Sequence, residues 1–132
     1  MTAQLQTLKH GNAIVLQPGG RLNGETAEIL REKIFELADA GHRWILLDMC
    51  GVTGLPEMAA GDLVDAGIVL ARAGGDLKLI NVGYGLQKAL EEMRLDAVFE
   101  VFPDEMSAVR SVERAQAARL RAAADRSELY WG

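Results

Sequence analysis

The chain has 132 residues, enough for one domain with a single two-layer core, and its 49% apolar and 25% charged residues exclude wholesale disorder. The net charge is −5, with 9 Lys/Arg against 16 Asp/Glu over residues 1–109 and 5 Arg against 3 Asp/Glu over residues 110–132. An acidic body repels phosphates, which argues against nucleic acid as a partner and leaves the basic end as either a solvated helix face or a contact for an acidic surface.

In chain order, Leu5, Thr7 and Lys9 alternate with Gln6 and Leu8, and a second extended run, Ala13-Ile14-Val15-Leu16-Gln17, follows His10-Gly11-Asn12. Two such runs across a short turn predict a hairpin, ended by Pro18-Gly19-Gly20. A helix is expected over 25–40: Asn23 is its N-cap, Glu25 and Glu28 suit its positive end, and Ala27, Leu30, Ile34 and Leu37 share a face. Gly41 is its C′ stop. Trp44-Ile45-Leu46-Leu47-Asp48 is apolar nearly throughout, the pattern of a strand covered on both faces, and Gly51–Gly54 reads as loop.

Pro56 suits the first turn of a second helix, because its missing N–H has no partner there. That helix is expected to reach Ala73, with Ala59, Leu63, Ala66 and Leu70 inward and Gly74-Gly75 ending it. Strands are expected over 77–82 and 98–102, with a helix from Tyr84 to Arg94 between them that turns Leu86, Leu90 and Met93 inward. Pro103-Asp104 opens a last helix, expected over 105–125 with a frayed tail at 127–132. The order β-β-α-β-α-β-α-β-α predicts an α/β fold: a mixed, mostly parallel sheet of four to five strands with about four helices mainly on one face.

Several chemistries lack their residues. His10 and His42 have no Asp, Glu or Cys at ligand spacing, so no metal site is expected. Ser107, Ser111 and Ser127 are the only serines and all come late, which leaves no nucleophile–base system and no expected catalytic residue. Gly83-Tyr84-Gly85 and Gly19-Gly20 lack the remaining positions of a phosphate loop, and no cofactor is expected. Cys50 is the one cysteine, so no internal disulfide can form; a reducing compartment fits, and the residue reads as a small buried hydrophobe. The first residues lack a basic segment with a long apolar run behind it, and no stretch nears 18 apolar residues. No signal peptide or membrane insertion is therefore expected, and the location expected is cytoplasmic.

Four motifs in order carry a family resemblance. Gly20-Arg21-Leu22-Asn23 resembles Gly-x-Leu-Asp, Ile45-Leu46-Leu47-Asp48-Met49-Cys50-Gly51-Val52 resembles three apolar residues followed by Asp-Leu-Ser-Gly-Val, Gly74-Gly75-Asp76-Leu77-Lys78-Leu79 resembles Gly-Gly-x-Leu-x-apolar, and Leu95-Asp96-Ala97-Val98-Phe99 resembles Leu-Asp-x-apolar-Phe. These are signatures of STAS domains, the group that includes bacterial anti-sigma factor antagonists, and the likeness spans about residues 5–112. On that basis residues 1–112 are expected to be the STAS domain and 113–132 a C-terminal helix extension and tail.

The resemblance implies a non-enzymatic regulatory module in transcription signalling. Its protein partner would be an anti-sigma factor or another kinase-fold ATPase, and a homodimer stays open. It also implies a serine at the start of the second helix whose phosphorylation breaks the partner complex, since a phosphate brings nearly two charges into a close-packed interface. Here that position is Met58; Pro56 replaces the acid before it, and Asn23 replaces the acid of the first motif. The phosphorylation site is therefore read as degenerate. Glu57 is either a permanent charge in its place or a first-turn acid on the helix dipole.

Met58, Asp62, Asp65, Val69 and Arg72 are expected to form an outward stripe on that helix. The partner-binding residues expected are Asn23, Glu57, Met58, Asp62, Asp65 and Val69. The alternatives are a scaffold or subunit role in a stress-sensing complex or lipid-transport ATPase, and a sensor of a small ligand such as a nucleotide or lipid.

Overall fold

The structure, a computed structural model, describes residues 5–131, and their side chains through Arg126. β1 (Leu5–His10) and β2 (Ala13–Pro18) form the expected antiparallel hairpin, and Gly11 takes the positive φ of +62° that its two-residue turn requires. The chain continues through β3 (Gly20–Arg21), α1 (Gly24–Asp39), β4 (Trp44–Asp48), β5 (Val52–Gly54), α2 (Glu57–Arg72) and β6 (Asp76–Ile80). It ends in α3 (Tyr84–Glu92), a 3-10 turn (Leu95–Ala97), β7 (Val101–Phe102) and α4 (Glu105–Trp131).

The five main strands lie in the order β1-β2-β4-β6-β7, with every pairing after the hairpin parallel. Parallel neighbours need crossovers, and α1, α2 and α3 supply them. β4, in the centre, is buried at all five positions. Its Ile45 and Leu47 join Ile14, Leu16, Leu77 and Leu79 under α1, α2 and α3. Its Trp44 and Leu46 turn the other way with Ala13, Val15 and Ile80, where Ala108, Val109 and Val112 of α4 cover them. Three helices therefore occupy one face and one helix the other. Each fully buried Leu or Ile in these layers contributes about 1.5–3 kcal/mol.

Caps follow the expected residues. The Asn23 side chain accepts the Thr26 N–H at 2.9 Å and opens α1; that of Asp104 accepts the Ser107 N–H at 2.8 Å and opens α4. Gly41 (φ +95°) and Gly74 (φ +88°) follow the ends of α1 and α2. α4 is tied across the sheet by His10–Glu105 (2.5 Å), Asn12–Gln116 (2.9 Å) and a hydrogen bond from Arg119 to the Gly74 carbonyl.

The structure corrects six expectations. Gly20 and residues 52–54 are not merely loop: β3 and β5 form a second, two-stranded parallel sheet. Pro56 is the N-cap of α2 rather than a first-turn residue. The third helix stops at Glu92, because Arg94 takes a left-handed φ of +59°. The strand expected over 98–102 is only Val101–Phe102; the 3-10 turn before it swings Phe99 into the core and leaves Val98 exposed. Cys50 is exposed, since the chain turns out of β4 there. The last helix runs to Trp131, past the expected Asp125; what the tail's side chains do lies outside the described residues. Among the described residues no helix is long and apolar enough to cross a membrane.

Candidate functional site

The residues singled out by the sequence lie around the C-terminal ends of the parallel strands. β3 and β5 extend β2 and β4 there, and the Gly20 N–H donates to the Gly51 carbonyl (2.8 Å) and the Leu22 N–H to the Gly54 carbonyl (3.3 Å). Asn23 follows β3 after Leu22, and Pro56 follows β5 after Leu55, so this small pairing brings the N-termini of α1 and α2 together. α3 starts at Tyr84, just after the neighbouring β6.

Beneath the helix starts, Asp48 is 8% exposed and ties three strand ends. Its Oδ1 accepts from the Cys50 N–H (3.0 Å) and Asn81 Nδ2 (3.1 Å), and its Oδ2 accepts from Gln17 Nε2 (3.1 Å). Gln17 belongs to β2, Asp48 to β4, and Asn81 follows β6 with a left-handed φ of +56°. Asparagine tolerates that region better than most residues. This network holds in place the turn that leads into β5 and α2.

On α2, Met58 is 80% exposed in the first turn beside an exposed Glu57. The exposed line runs through Met58, Gly61, Asp65, Ile68 and Arg72, at helical spacing. Val69 is half-buried next to it, and the large exposed apolar residue at that level is Ile68. Asp62 does not point freely outward: Arg31 Nη1 of α1 donates to its Oδ1 at 2.9 Å and stands 3.8 Å from Asp65 Oδ2. Arg31 also lies over the Phe35 ring, 5.8 Å from its centroid. The acid pair thus braces α1 against α2, and such a partly exposed pair contributes up to about 1 kcal/mol. The Asn23 side chain is engaged as the α1 cap.

Two features went unread in the sequence. Tyr84, which the sequence marks only as the start of a helix and part of an incomplete glycine motif, is 78% exposed at the start of α3, and Lys88 Nζ lies 5.3 Å from its ring centroid. The sequence places Asp48 at the end of an apolar strand and in a family motif but assigns it no bonding role; a polar residue closing an apolar strand is the signal for it. Among the described residues no acid is paired with a base around these helix starts except Arg31 with Asp62 and Asp65. The arrangement presents two large exposed side chains, Met58 and Tyr84, on the starts of neighbouring helices above a rigid sheet, with acids around Met58.

Similarity to known proteins agrees with this architecture. The protein TM1081 of Thermotoga maritima superposes with a TM-score of 0.78 at 20% identity, covering 86% of this chain and 92% of that one. An anti-sigma factor antagonist from Mycobacterium paratuberculosis gives 0.74 at 18% identity, covering 85% and 95%. The Bacillus cell fate determinant SpoIIAA, in its phosphorylated form, gives 0.63 at 18%, covering 83% and 99%. At these identities the likeness establishes the fold. No curated protein matches the sequence closely enough to be called a relative. The STAS domain profile matches residues 4–108, the stretch from the first strand into α4 that carries the whole sheet and the three helix starts, and the chain therefore belongs to the STAS domain family.

Proposed function

We propose that this protein is a non-enzymatic, cytoplasmic regulatory module of bacterial transcription signalling that docks a partner protein through the start of α2. Its partner is an anti-sigma factor or a related kinase-fold ATPase, and docking is not controlled by a phosphoserine. The observation that carries this reading is Met58, an apolar side chain left 80% exposed in the first turn of α2. Methionine adapts to irregular partner surfaces, and an exposed aromatic such as Tyr84 is a frequent anchor of binding energy. Glu57 and Asp65 flank Met58, so the partner presents an apolar recess with a basic rim. Asn23, Asp62 and Val69 support the face from its border. The domain proper is assigned to 1–112 and the extension to 113–132; in support, Val112 is buried against the sheet, whereas every residue from Ala117 to Arg126 is exposed.

Calorimetry with the cognate anti-sigma factor tests the docking. Met58→Asp should weaken binding at least about tenfold, the effect of losing a 1–2 kcal/mol contact, with an unchanged melting curve because the side chain is exposed. Unchanged affinity removes α2 from the interface. Incubation with the cognate kinase and ATP should leave residues 53–60 unmodified by mass spectrometry. Thr53 is the only hydroxyl residue in that span, and a phosphate on it overturns the claim of an absent phospho-switch.

A further inference from the structure

A concavity lies at the opposite end of the sheet, where the parallel strands begin. Its volume is about 410 Å3, and its walls come from β1, the turn between β1 and β2, the segment joining α1 to β4, and α4. The charge of this wall is one-sided: Lys9, Arg43 and Arg119 line it beside His42, and among the described residues no aspartate or glutamate does. In a chain with 19 acidic and 14 basic residues, a cavity whose described charged side chains are all basic runs against the composition.

The donors are partly preset. Arg119 is oriented by its hydrogen bond to the Gly74 carbonyl, which uses one of a guanidinium's five N–H donors. Gln116 accepts from Asn12 Nδ2 at 2.9 Å and so keeps its own amide donors. The main chain offers little here, because the Gly41 and His42 N–H groups donate to the Ala38 and Leu37 carbonyls (3.0 and 2.9 Å). An anion in this cavity is therefore held by side chains. Trp44, 8% exposed, and Leu120 add apolar wall.

We infer that this cavity binds a small phosphorylated organic molecule, with Lys9, Arg43 and Arg119 around the phosphate and Trp44 and Leu120 against the organic part. Three cations arriving from three separate elements suit the three terminal oxygens of a phosphate monoester, whereas a single guanidinium already satisfies a planar carboxylate. The volume exceeds what a bare phosphate needs and falls within the roughly 300–1,000 Å3 of small-molecule sites. The competing account is that these cations only neutralise helix ends, since α1 and α2 both finish at this end of the sheet and carry negative C-terminal poles.

Titration of the full 15N-labelled chain with inorganic pyrophosphate, and separately with citrate, distinguishes the two. Saturable shifts are expected at the Asn12 and Gln116 side-chain amides, His42 and the Trp44 indole, with citrate binding more weakly. Lys9→Gln and Arg43→Gln remove exposed side chains and so leave the fold intact; each should weaken pyrophosphate about tenfold, the size of one charge-assisted contact. Shifts that do not saturate, or that neither substitution changes, leave the cations as helix-end partners and overturn the site. Citrate binding as tightly as pyrophosphate overturns the phosphate assignment. Neither outcome bears on docking through Met58, which lies at the other end of the strands.

Discussion

Replacing Asp48 with alanine tests whether the buried carboxylate holds the docking end together. The substitution removes three hydrogen bonds at once, to the Cys50 N–H, Asn81 Nδ2 and Gln17 Nε2. A hydrogen bond to a charged acceptor nets about 1.5–3 kcal/mol, so three taken at face value sum to about 4–9 kcal/mol. Gln17 and Asn81 are only half-buried, however, and their amides can turn toward water. That reduces the expected cost to about 2–4 kcal/mol.

For a domain of this size the cost corresponds to a fall of roughly 10 °C in Tm, read by circular dichroism and by urea titration. Asp48→Asn separates the carboxylate's shape from its charge. Its amide oxygen can occupy the Oδ1 position and keep the Cys50 and Asn81 bonds, while Gln17 turns its own oxygen to the new NH2 group. The asparagine variant should therefore lose only about 1 kcal/mol, the difference between charged and neutral acceptors. If Asp48→Ala costs less than about 1 kcal/mol, or Asp48→Asn costs as much as alanine, the network is not what joins the strand ends.

Leu63→Ala empties a fully buried position under α2 and should cost about 2.7–5 kcal/mol, measured as a shift of the urea midpoint at constant m-value. Gly75→Ala should prevent stable folding, because a Cβ at that position overlaps the Arg43 carbonyl oxygen, which also accepts the Asp76 N–H; a well-folded variant with native Tm contradicts that packing. The Asp104 carboxyl is held below its ordinary value, first by the Ser107 N–H, then by the Ser107 hydroxyl and the Arg110 charge. A lowered folded value means stability fully present above the unfolded value of about 3.9 and lost as pH falls through the lower folded one. Asp104→Ala should therefore melt below the parent at pH 6 and converge with it in strong acid; a gap constant with pH would show that the charge plays no part.

Much of the fold was legible in the chain because it rests on local periodicity and local caps. The α1 stripe Ala27, Leu30, Ile34, the unbroken apolar β4, the caps Asn23 and Asp104, and the stops at Gly41 and Gly74 each depend on residues within a few positions of one another. Exposure of Met58 followed from the same helical arithmetic. What escaped depends on partners far away in sequence. Gly20–Arg21 and Val52–Gly54 are too short for any periodicity and become strands only by pairing with each other. Phe99 sits in an extended-looking apolar run, yet the core opening under α2 draws it inward and shortens β7. Asp62 has the spacing of an outward residue, and Arg31, thirty-one positions earlier, turns it into a brace between helices. Lys9, Arg43 and Arg119 meet around one cavity only because α4 crosses the second face of the sheet, and that choice of face is made by Val109 and Val112 packing on Trp44 and Leu46. Local pattern thus settled which elements form and which faces they bury, while the side chains that share a site were chosen by long-range packing, whose partners no local window contains.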